Sequence, residues 1–501
     1  MCMKIKELVS HLFHADISGD EQTEITGLKM DSRKVKPGDL FMCVPGIKGF
    51  LEDRSQFAQA AVDAGAVALL LEKDVNVSVP KIFVKDVRTA MAILSAAFYG
   101  NPSKEMKVIG VTGTNGKTTT SHILESILKK AGKETGIMGN IGVSIGGKLF
   151  ETDINTQEPP VLQENLRKMR DAQAEYCVME VTSQGLDMGR VIGTHFRTAI
   201  FTNLSIDHLD YHGTMDAYRE TKGLLFSRLG NGIFSSEAEK QYSVINHDDS
   251  SAPYFKRITA SEVISYGIEK SADVMAKDIK MTAAGTEFTL LTSDGHKHIK
   301  TRMIGRFNIY NILAAAAAAL AEKISLDIIA ESVREGGNAP GRMEIIDDGQ
   351  NFLAIADYAH TPDALEKALT ALKEFAQGRI ITVFGCGGNR DTGKRQVMGA
   401  IAQKYSDYVI ITSDNPRDEN PDDIISEIAA GFTGEHVSYC KEADRRTAIR
   451  KAIERAGTGD IVFVAGKGHE TYQIIQGEHI YFDDREEIRK GIKKVNNRSN
   501  L

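Results

Sequence analysis

Lys117 comes directly after a glycine and directly before three threonines, in the stretch Lys107-Val-Ile-Gly-Val-Thr-Gly-Thr-Asn-Gly-Lys-Thr-Thr-Thr120. Those residue types, in that order, suit a polyphosphate. Gly113 and Gly116, with Thr114 and Asn115 between them, let backbone N–H groups turn inward around phosphate oxygens. Lys117 adds a point charge, and the Thr118 hydroxyl, followed by Thr119, is offered to Mg2+. The strict G-x-x-x-x-G-K-[ST] pattern is not met, because Val111 holds its first position and Gly110 falls one residue early. A bare Gly-Lys-Thr-Thr also occurs in structural turns. The setting favours a nucleotide: an apolar strand precedes the loop, and an amphipathic helix expected over 119–131 points its positive end at the same anion.

Two further apolar runs end in groups with chemistry. Tyr176-Cys-Val-Met-Glu-Val181 carries Glu180 at its end, and the run 198–203 leads into Asp207-His-Leu-Asp-Tyr-His212. Strands alternating with helices predict a parallel sheet, whose ligands gather at the strand C-terminal ends. Glu180 and His208 are then expected beside the phosphate loop, where with Thr118 they could ligate Mg2+. Taken singly, Glu180 reads more simply as a solvated acid, and the Asp-His-x-Asp-x-His residues need not face one point.

Such groups need a scaffold that brings distant strand ends together. A chain of 501 residues is too long for one core and predicts about three domains. With 42% hydrophobic and 26% charged residues and a net charge of −7, it has the composition of a soluble globular protein. That balance disfavours nucleic acid or an anionic membrane as partner, so an anionic substrate must be held by local Lys and Arg. The five cysteines (Cys2, Cys43, Cys177, Cys386, Cys440) are odd in number, scattered and never in a CxxC pair, against both a disulfide framework and a zinc site. A reducing cytoplasm is expected. Met1-Cys-Met-Lys-Ile-Lys-Glu-Leu lacks a secretory apolar region, and no run of about 18 apolar residues predicts a transmembrane helix.

Along the chain, residues 1–102 read as a small α/β domain, with strands over 38–44, 66–71 and 81–84 and helices over 56–64 and 89–99. Within it Met30-Asp-Ser-Arg33 offers Ser32 and Arg33 to a phosphate or a sugar hydroxyl, or is simply a polar turn; the residues leave both open. Asn101-Pro-Ser103 reads as a linker. The central part, 103–338, holds the phosphate loop and then short strands over 263–266, 272–279, 286–291 and 298–304. Arg306-Phe-Asn-Ile-Tyr-Asn311 opens a helix running through alanines 314–319, the mark of a tightly packed core helix. Asn308 and Asn311 are caps or adenine contacts, with capping the default. Asn338-Ala-Pro-Gly-Arg342 reads as a hinge. In 339–501, strands over 352–356, 379–384, 408–412 and 460–465, with a helix over 363–375, make another α/β unit. Their ends carry Asp357-Tyr-Ala-His-Thr-Pro362, Gly385-Cys-Gly-Gly-Asn-Arg-Asp391, Ser413-Asp-Asn-Pro-Arg417 and Gly466-Lys-Gly-His-Glu470, the loops where a doubly wound domain keeps its site.

Five motifs stand in one order: Gly113-Thr-Asn-Gly-Lys-Thr118, Phe201-Thr-Asn-Leu-Ser-Ile-Asp-His-Leu-Asp-Tyr-His-Gly213, Asp357-Tyr-Ala-His-Thr-Pro-Asp-Ala-Leu365, Asp414-Asn-Pro-Arg417 and Gly466-Lys-Gly-His-Glu470. Together the chain resembles the Mur ligases, over nearly its full length from Asp31-Ser-Arg33 onward. The resemblance implies three α/β domains: an N-terminal UDP-binding domain, a central P-loop ATPase and a Rossmann-like C-terminal domain for the incoming amino acid. It implies an ATP-dependent amide-forming ligase that activates a carboxylate as an acyl phosphate. By motif, Lys117, Lys222, His208 and Arg342 are the expected catalytic residues, and Thr118, Glu180, His208 and Lys222, as a carbamate, the Mg2+ ligands. Without the family, Lys222 would be one more helix-surface lysine. Asn308, Asp357 and His360 match the nucleotide pocket that closes with the C-terminal domain, which would protect an acyl phosphate from water.

For the incoming amino acid the resemblance points to Arg390, Asp414, Asn415, Pro416, Arg417, Gly466 and Glu470. The arginine form of Asp-Asn-Pro-Arg goes with meso-diaminopimelate, whose far carboxylate a planar guanidinium can grip bidentately. On the acceptor side Ser32, Thr156, Thr182 and Arg190 match substrate contacts. The expected reaction adds meso-diaminopimelate to UDP-N-acetylmuramoyl-L-alanyl-D-glutamate in peptidoglycan precursor synthesis, by a monomer whose partners are small molecules. The chain departs from the family on the acceptor side. Glu52-Asp-Arg-Ser-Gln-Phe57 replaces Asp-Gly-His and an aromatic, Asn155-Thr-Gln-Glu-Pro159 replaces Asn-Thr-Thr-Pro, and Thr182-Ser-Gln184 replaces Ser-Ser-His. Two alternatives follow: a paralogue with another carboxylate acceptor, and a nucleotide-binding regulator that makes no amide bond. The retained Lys117, His208, Lys222, Arg390 and Arg417 argue against the second.

Overall fold

The computed structural model describes residues 2–47, 49–152, 154–232, 236, 239–282, 284–336, 339–433 and 438–499. Among the described residues three large sheets follow the chain in order: five strands between Asp16 and Phe83, eleven between Lys107 and Thr301, and six between Glu344 and Ala465, with Ile461–Ala465 inserted into the middle of the last. Asn338, which opens the expected hinge, lies outside the described residues.

The middle sheet is built around Lys107–Thr112, whose run Val-Ile-Gly-Val-Thr is wholly buried. A strand covered on both faces has no solvent side, so it reads as continuous apolar sequence instead of alternating. Tyr176–Glu180 and Phe196–Phe201 flank it in parallel, with Glu180 opposite Val111 and Phe201 opposite Thr112. Three strands therefore finish at one edge, beside the phosphate loop.

Beyond its parallel centre the sheet is mixed, with antiparallel strands at both edges. Thr135–Gly139, Gly142–Ile145 and Lys148–Phe150 run antiparallel at one edge, and Val274–Thr282, Gly285–Thr292 and Gly295–Thr301 at the other. The connections explain it: only Ser293 and Asp294 separate the last two strands, whereas a parallel crossover needs about a dozen residues or more.

The helix after the phosphate loop is Lys117–Lys130, starting two residues before the expected 119 because Gly116, at φ 87°, already ends the loop in the left-handed region. Helix Arg306–Ala321 packs against it, with Ala314 to Ala319 buried all round, so the polyalanine stretch is a core helix. In the first domain the expected helix 56–64 opens as a 3-10 turn, Arg54–Phe57, and continues as Ala58–Asp63. The expected linker is a packed turn, with Pro102 and Ser103 buried and the Ser103 hydroxyl accepting from His195 N–H. Among the described residues no helix is long and apolar enough to cross a membrane.

In the last domain Leu353–Asp357, Ile461–Ala465, Ile380–Phe384, Tyr408–Thr412 and Ser438–Glu442 are parallel neighbours in that order, with Glu344–Ile346 antiparallel at the edge. Their C-terminal ends launch the loops singled out from sequence.

Candidate active site

Two glycines of the phosphate loop leave no free space for a side chain without a shift of their neighbours. At Gly116 a Cβ would strike the Asn311 amide oxygen, and at Gly113 the Thr202 hydroxyl. Lys117 Nζ donates back to the carbonyls of Gly113, at 2.8 Å, and Thr114, at 2.7 Å. Lys222, on helix Met215–Ser227, donates to the same Gly113 carbonyl at 3.1 Å. Its side chain is buried with Nζ 4.4 Å from the Tyr218 ring centre, so the helix-surface reading is overturned. Burial, with the Lys117 charge adding to it, holds the Lys222 pKa well below the usual lysine value. Burial lowers that of Lys117 as well.

Glu180 is also buried, against the expectation of a solvated strand end. One of its oxygens accepts from Thr118 Oγ1 at 2.9 Å and from Asn140 N–H at 2.8 Å. A buried carboxylate needs such donors, and the register that ends three strands together supplies them. His208 begins the turn Leu209–His212 at φ 52°. Desolvation lowers its pKa, with Lys117 and Lys222 adding and Asp207 opposing, which favours a neutral ring with a free lone pair. The Asp-His-x-Asp-x-His residues diverge: His212 Nε2 lies 2.9 Å from Ser183 Oγ and Asp210 is exposed. Among the described residues no three His, Cys, Asp or Glu side chains converge as a ready cation site.

From the last domain, the Arg342 guanidinium lies 4.3 Å from the Tyr358 ring centre and reaches Thr118 Oγ1 at 3.4 Å, while its buried Nε has no partner. Asp357 accepts from the backbone N–H of Met343 at 2.6 Å and of Ala359 at 2.8 Å, and burial raises its pKa against the opposing charge of Arg342. His360 Nδ1 donates to the Tyr358 carbonyl at 2.8 Å, and burial lowers its pKa. His469 meets Asn140 at 3.4 Å and stacks near Tyr358, and its pKa is pulled down by burial to about 3.

Asn308 and Asn311 are not caps. The helix begins after Gly305, with no side-chain cap, and both asparagines lie inside it. Asn308 donates to the Ile304 carbonyl at 2.8 Å and accepts from Asn311 at 3.1 Å, while Asn311 accepts from Thr120 Oγ1 at 3.2 Å. These buried amides tie the alanine helix to the phosphate-loop helix.

Thr156, Thr182 and Arg190, expected on the acceptor side, come together next to Glu180. Thr156 Oγ1 donates to the Glu180 carbonyl at 3.0 Å and accepts from Thr182 N–H at 2.9 Å. Thr182 Oγ1 accepts from Gly185 N–H, capping Ser183–Asp187. Arg190 donates to the Thr156 carbonyl at 3.0 Å and pairs at 2.7 Å with Glu158, a residue of the altered Asn155–Pro159 stretch. Ser32 belongs to another element, the 3-10 turn Ser32–Lys34, where Arg33 is exposed and paired with Asp31 at 2.9 Å.

The amino-acid motifs also assemble. Asp414, Asn415 and Pro416 are buried, and Arg417, at φ 53°, exchanges backbone bonds with Ile474 and Gln476. Its guanidinium donates to the Gly388 carbonyl at 2.8 Å, beside the exposed Arg390. Asn415 donates to Glu470 at 3.0 Å, and burial raises the Glu470 pKa. At Gly466 a Cβ would meet the Asp414 carboxylate. Sequence reasoning missed Lys467, which is fully buried and donates to Asn415 at 2.9 Å, although it stands inside a quoted motif. It also missed Arg445 and Asp484, a fully buried pair at 2.7 Å whose guanidinium donates to the Ser413 and Ala465 carbonyls. No local pattern marks either partner. A cavity of about 730 Å³ between Arg302, Pro340, Glu344 and Arg485 is lined by none of the candidate site residues.

Three family models match in order: the Mur ligase family catalytic domain over residues 24–101, the Mur ligase middle domain over 111–319 and the Mur ligase glutamate ligase domain over 341–468. The chain is 47% identical over 98% of its length to the UDP-N-acetylmuramoyl-L-alanyl-D-glutamate--2,6-diaminopimelate ligase of Geobacillus thermodenitrificans, covering 100% of that protein. It is 44% identical to the protein of the same name from Listeria monocytogenes, over 98% of this chain and 99% of that one. A solved structure of a ligase of that name superposes with a TM-score of 0.70 at 33% identity, covering 99% of this chain and 100% of that one. The MurF ligase of Thermotoga maritima, solved with ADP, shares the fold at a TM-score of 0.65 and 19% identity, over 94% of this chain and 98% of that one.

Proposed function

This chain belongs to the Mur ligase family, and on that premise we propose that it joins meso-2,6-diaminopimelate to UDP-N-acetylmuramoyl-L-alanyl-D-glutamate, with ATP, in peptidoglycan precursor synthesis. The observation that carries this reading is the 47% identity, over 98% of the chain, to a ligase so named. It acts on small molecules as a monomer in the cytoplasm, with domains over 1–102, 103–338 and 339–501.

In the reaction, an acceptor carboxylate oxygen attacks the γ-phosphorus of ATP, ADP leaves and an acyl phosphate forms. The diaminopimelate amine, once deprotonated, then attacks the acyl carbon, and phosphate leaves as the amide forms. The loop residues Gly113 to Thr119 hold the phosphates, and Lys117 is placed to answer charge that grows on the leaving ADP. Asn308, Asp357 and His360 complete the nucleotide pocket, and Arg342 reaches the phosphate end from the closing domain. Closure excludes water from the acyl phosphate.

Mg2+ fits the donor set. Thr118 and Glu180 offer hard oxygens 2.9 Å apart, His208 favours the neutral form, and Mg2+ sites commonly take few carboxylates and finish with substrate phosphates. When bound, the ion neutralises phosphate charge that would repel the attacking carboxylate. Lys222 fits the carbamate role because only an uncharged amine adds CO2, and its lowered pKa favours that form. The addition releases a proton and gives N6-carboxylysine, turning a neutral amine beside Lys117 into an anion.

Ser32, Thr156, Thr182 and Arg190 hold the acceptor. Asp414, Asn415, Pro416, Arg417, Arg390, Gly466 and Glu470 hold diaminopimelate, with Glu470 on an ammonium and Arg417 on the far carboxylate. The deciding experiment incubates pure protein with the muramoyl dipeptide nucleotide, ATP and Mg2+, adding diaminopimelate or L-lysine, and measures phosphate and product mass. Product only with diaminopimelate is expected. Turnover only with lysine overturns the specificity, and no turnover with either overturns the acceptor.

A further inference from the structure

Asp363 stands in the quoted motif Asp357-Tyr-Ala-His-Thr-Pro-Asp-Ala-Leu365, yet none of the roles above uses it. It lies in the first turn of helix Pro362–Lys373, whose N-cap is already supplied by the Thr361 hydroxyl. Its Oδ2 instead faces the middle domain. That single oxygen accepts from Asn115 Nδ2 at 2.6 Å and from Ser205 Oγ at 3.1 Å, and from Lys367 Nζ of its own helix at 2.9 Å.

Both interdomain donors belong to the loops that frame the phosphate site. The backbone of Asn115 is fixed from below: its N–H donates to Asn203 Oδ1 at 3.1 Å, and its carbonyl accepts from Thr202 Oγ1 at 2.6 Å and Asn203 Nδ2 at 3.0 Å. Its side-chain amide is held by Asp363. A charged acceptor shared by two neutral donors makes a stronger bond than a neutral one, and here the partners are 248 and 158 residues away in sequence.

We propose that Asp363 is a positioning residue: the C-terminal domain, as it closes, uses this carboxylate to fix the Asn115 side chain and the Ser205 hydroxyl beside the nucleotide phosphates. The proposal rests on reading Gly113 to Thr119 as the ATP site. Orientation of the loop, and not contact with substrate, is the function.

The side chain is 33% exposed, so changes here leave the fold intact. Asp363→Ala removes the acceptor, whereas Asp363→Asn keeps an oxygen in the same place. With the alanine variant the KM for ATP should rise about tenfold, the size expected for losing a hydrogen bond to a charged group. The KM for diaminopimelate should stay within about twofold, and thermal unfolding should be unchanged. Asp363→Asn should recover most of the ATP affinity. Small-angle scattering of the protein without substrates should show a larger radius of gyration for the alanine variant than for wild type, with the asparagine variant close to wild type.

An alanine variant with wild-type scattering and wild-type KM for ATP overturns the proposal, as does an equal rise in both KM values. Scattering needs no turnover, so a wild-type enzyme that makes no amide with diaminopimelate would sink the proposed reaction while the latch is still decided.

Discussion

Lys117 and Lys222 meet at the carbonyl oxygen of Gly113, from 2.8 Å and 3.1 Å. Two ammonium groups on one acceptor, Lys222 buried and Lys117 half-buried, repel each other, which favours loss of a proton. Burial, with the Lys117 charge adding to it, lowers the Lys222 pKa well below the usual lysine value, and burial lowers that of Lys117 too.

Lys222→Ala should therefore lower turnover by about 100-fold or more, as when a group serving developing charge is removed. Short carboxylates such as acetate should restore part of it by filling the vacated space with an anion. Full activity in the plain variant would remove the carbamate from the mechanism.

Arg417→Lys should raise the KM for diaminopimelate by about 10- to 100-fold, since an ammonium cannot replace a bidentate guanidinium. The KM for ATP should move by less than about threefold. Equal weakening of both substrates would discredit the carboxylate grip.

Gly116→Ala should abolish tight binding of a non-hydrolysable ATP analogue in titration calorimetry. The position needs φ 87° and has no room beside Asn311, a combination costing about 1–3 kcal/mol or more of strain. Gly132 is the control, because its φ of 75° is also positive but a Cβ there meets nothing within 4 Å. Gly132→Ala should cost about 1 kcal/mol of stability and leave nucleotide binding alone. Similar binding by the two variants would show that the Gly116 crowding does not matter.

His469 predicts a pH dependence. Its folded pKa, about 3, lies below the ordinary histidine value of 6.5, so between these values the unfolded chain carries the extra proton. Stability is then lost as pH falls from 6.5 toward 3 and returns as pH rises. Urea melts at pH 7 and pH 4.5 should show a smaller acid loss for His469→Gln than for wild type. Identical losses would leave the His469 environment without energetic weight.

The residue order alone is enough for the phosphate loop, the α/β alternation and the loops at Asp414 and Gly466, because each is a local pattern: glycines where the backbone must turn, apolar runs where a strand is covered, a cap where a helix starts. The same local reading misjudges Lys222 and Glu180 as solvated residues and Asn308 and Asn311 as caps. Nothing near them in sequence says otherwise. Their surroundings are made by partners far along the chain: Lys222 reaches Gly113 across 109 residues, Thr118 reaches Glu180 across 62, and Arg342 reaches Thr118 across 224. Arg445 and Asp484, 39 residues apart, bind the loops that begin at Ser413 and Ala465 with no motif of their own. Burial, charge pairing and proton affinity depend on strand register and on how the last domain docks, and those are properties of the packed chain. Tertiary structure decides which two lysines meet on one carbonyl, and with it how far burial and mutual charge lower their proton affinity.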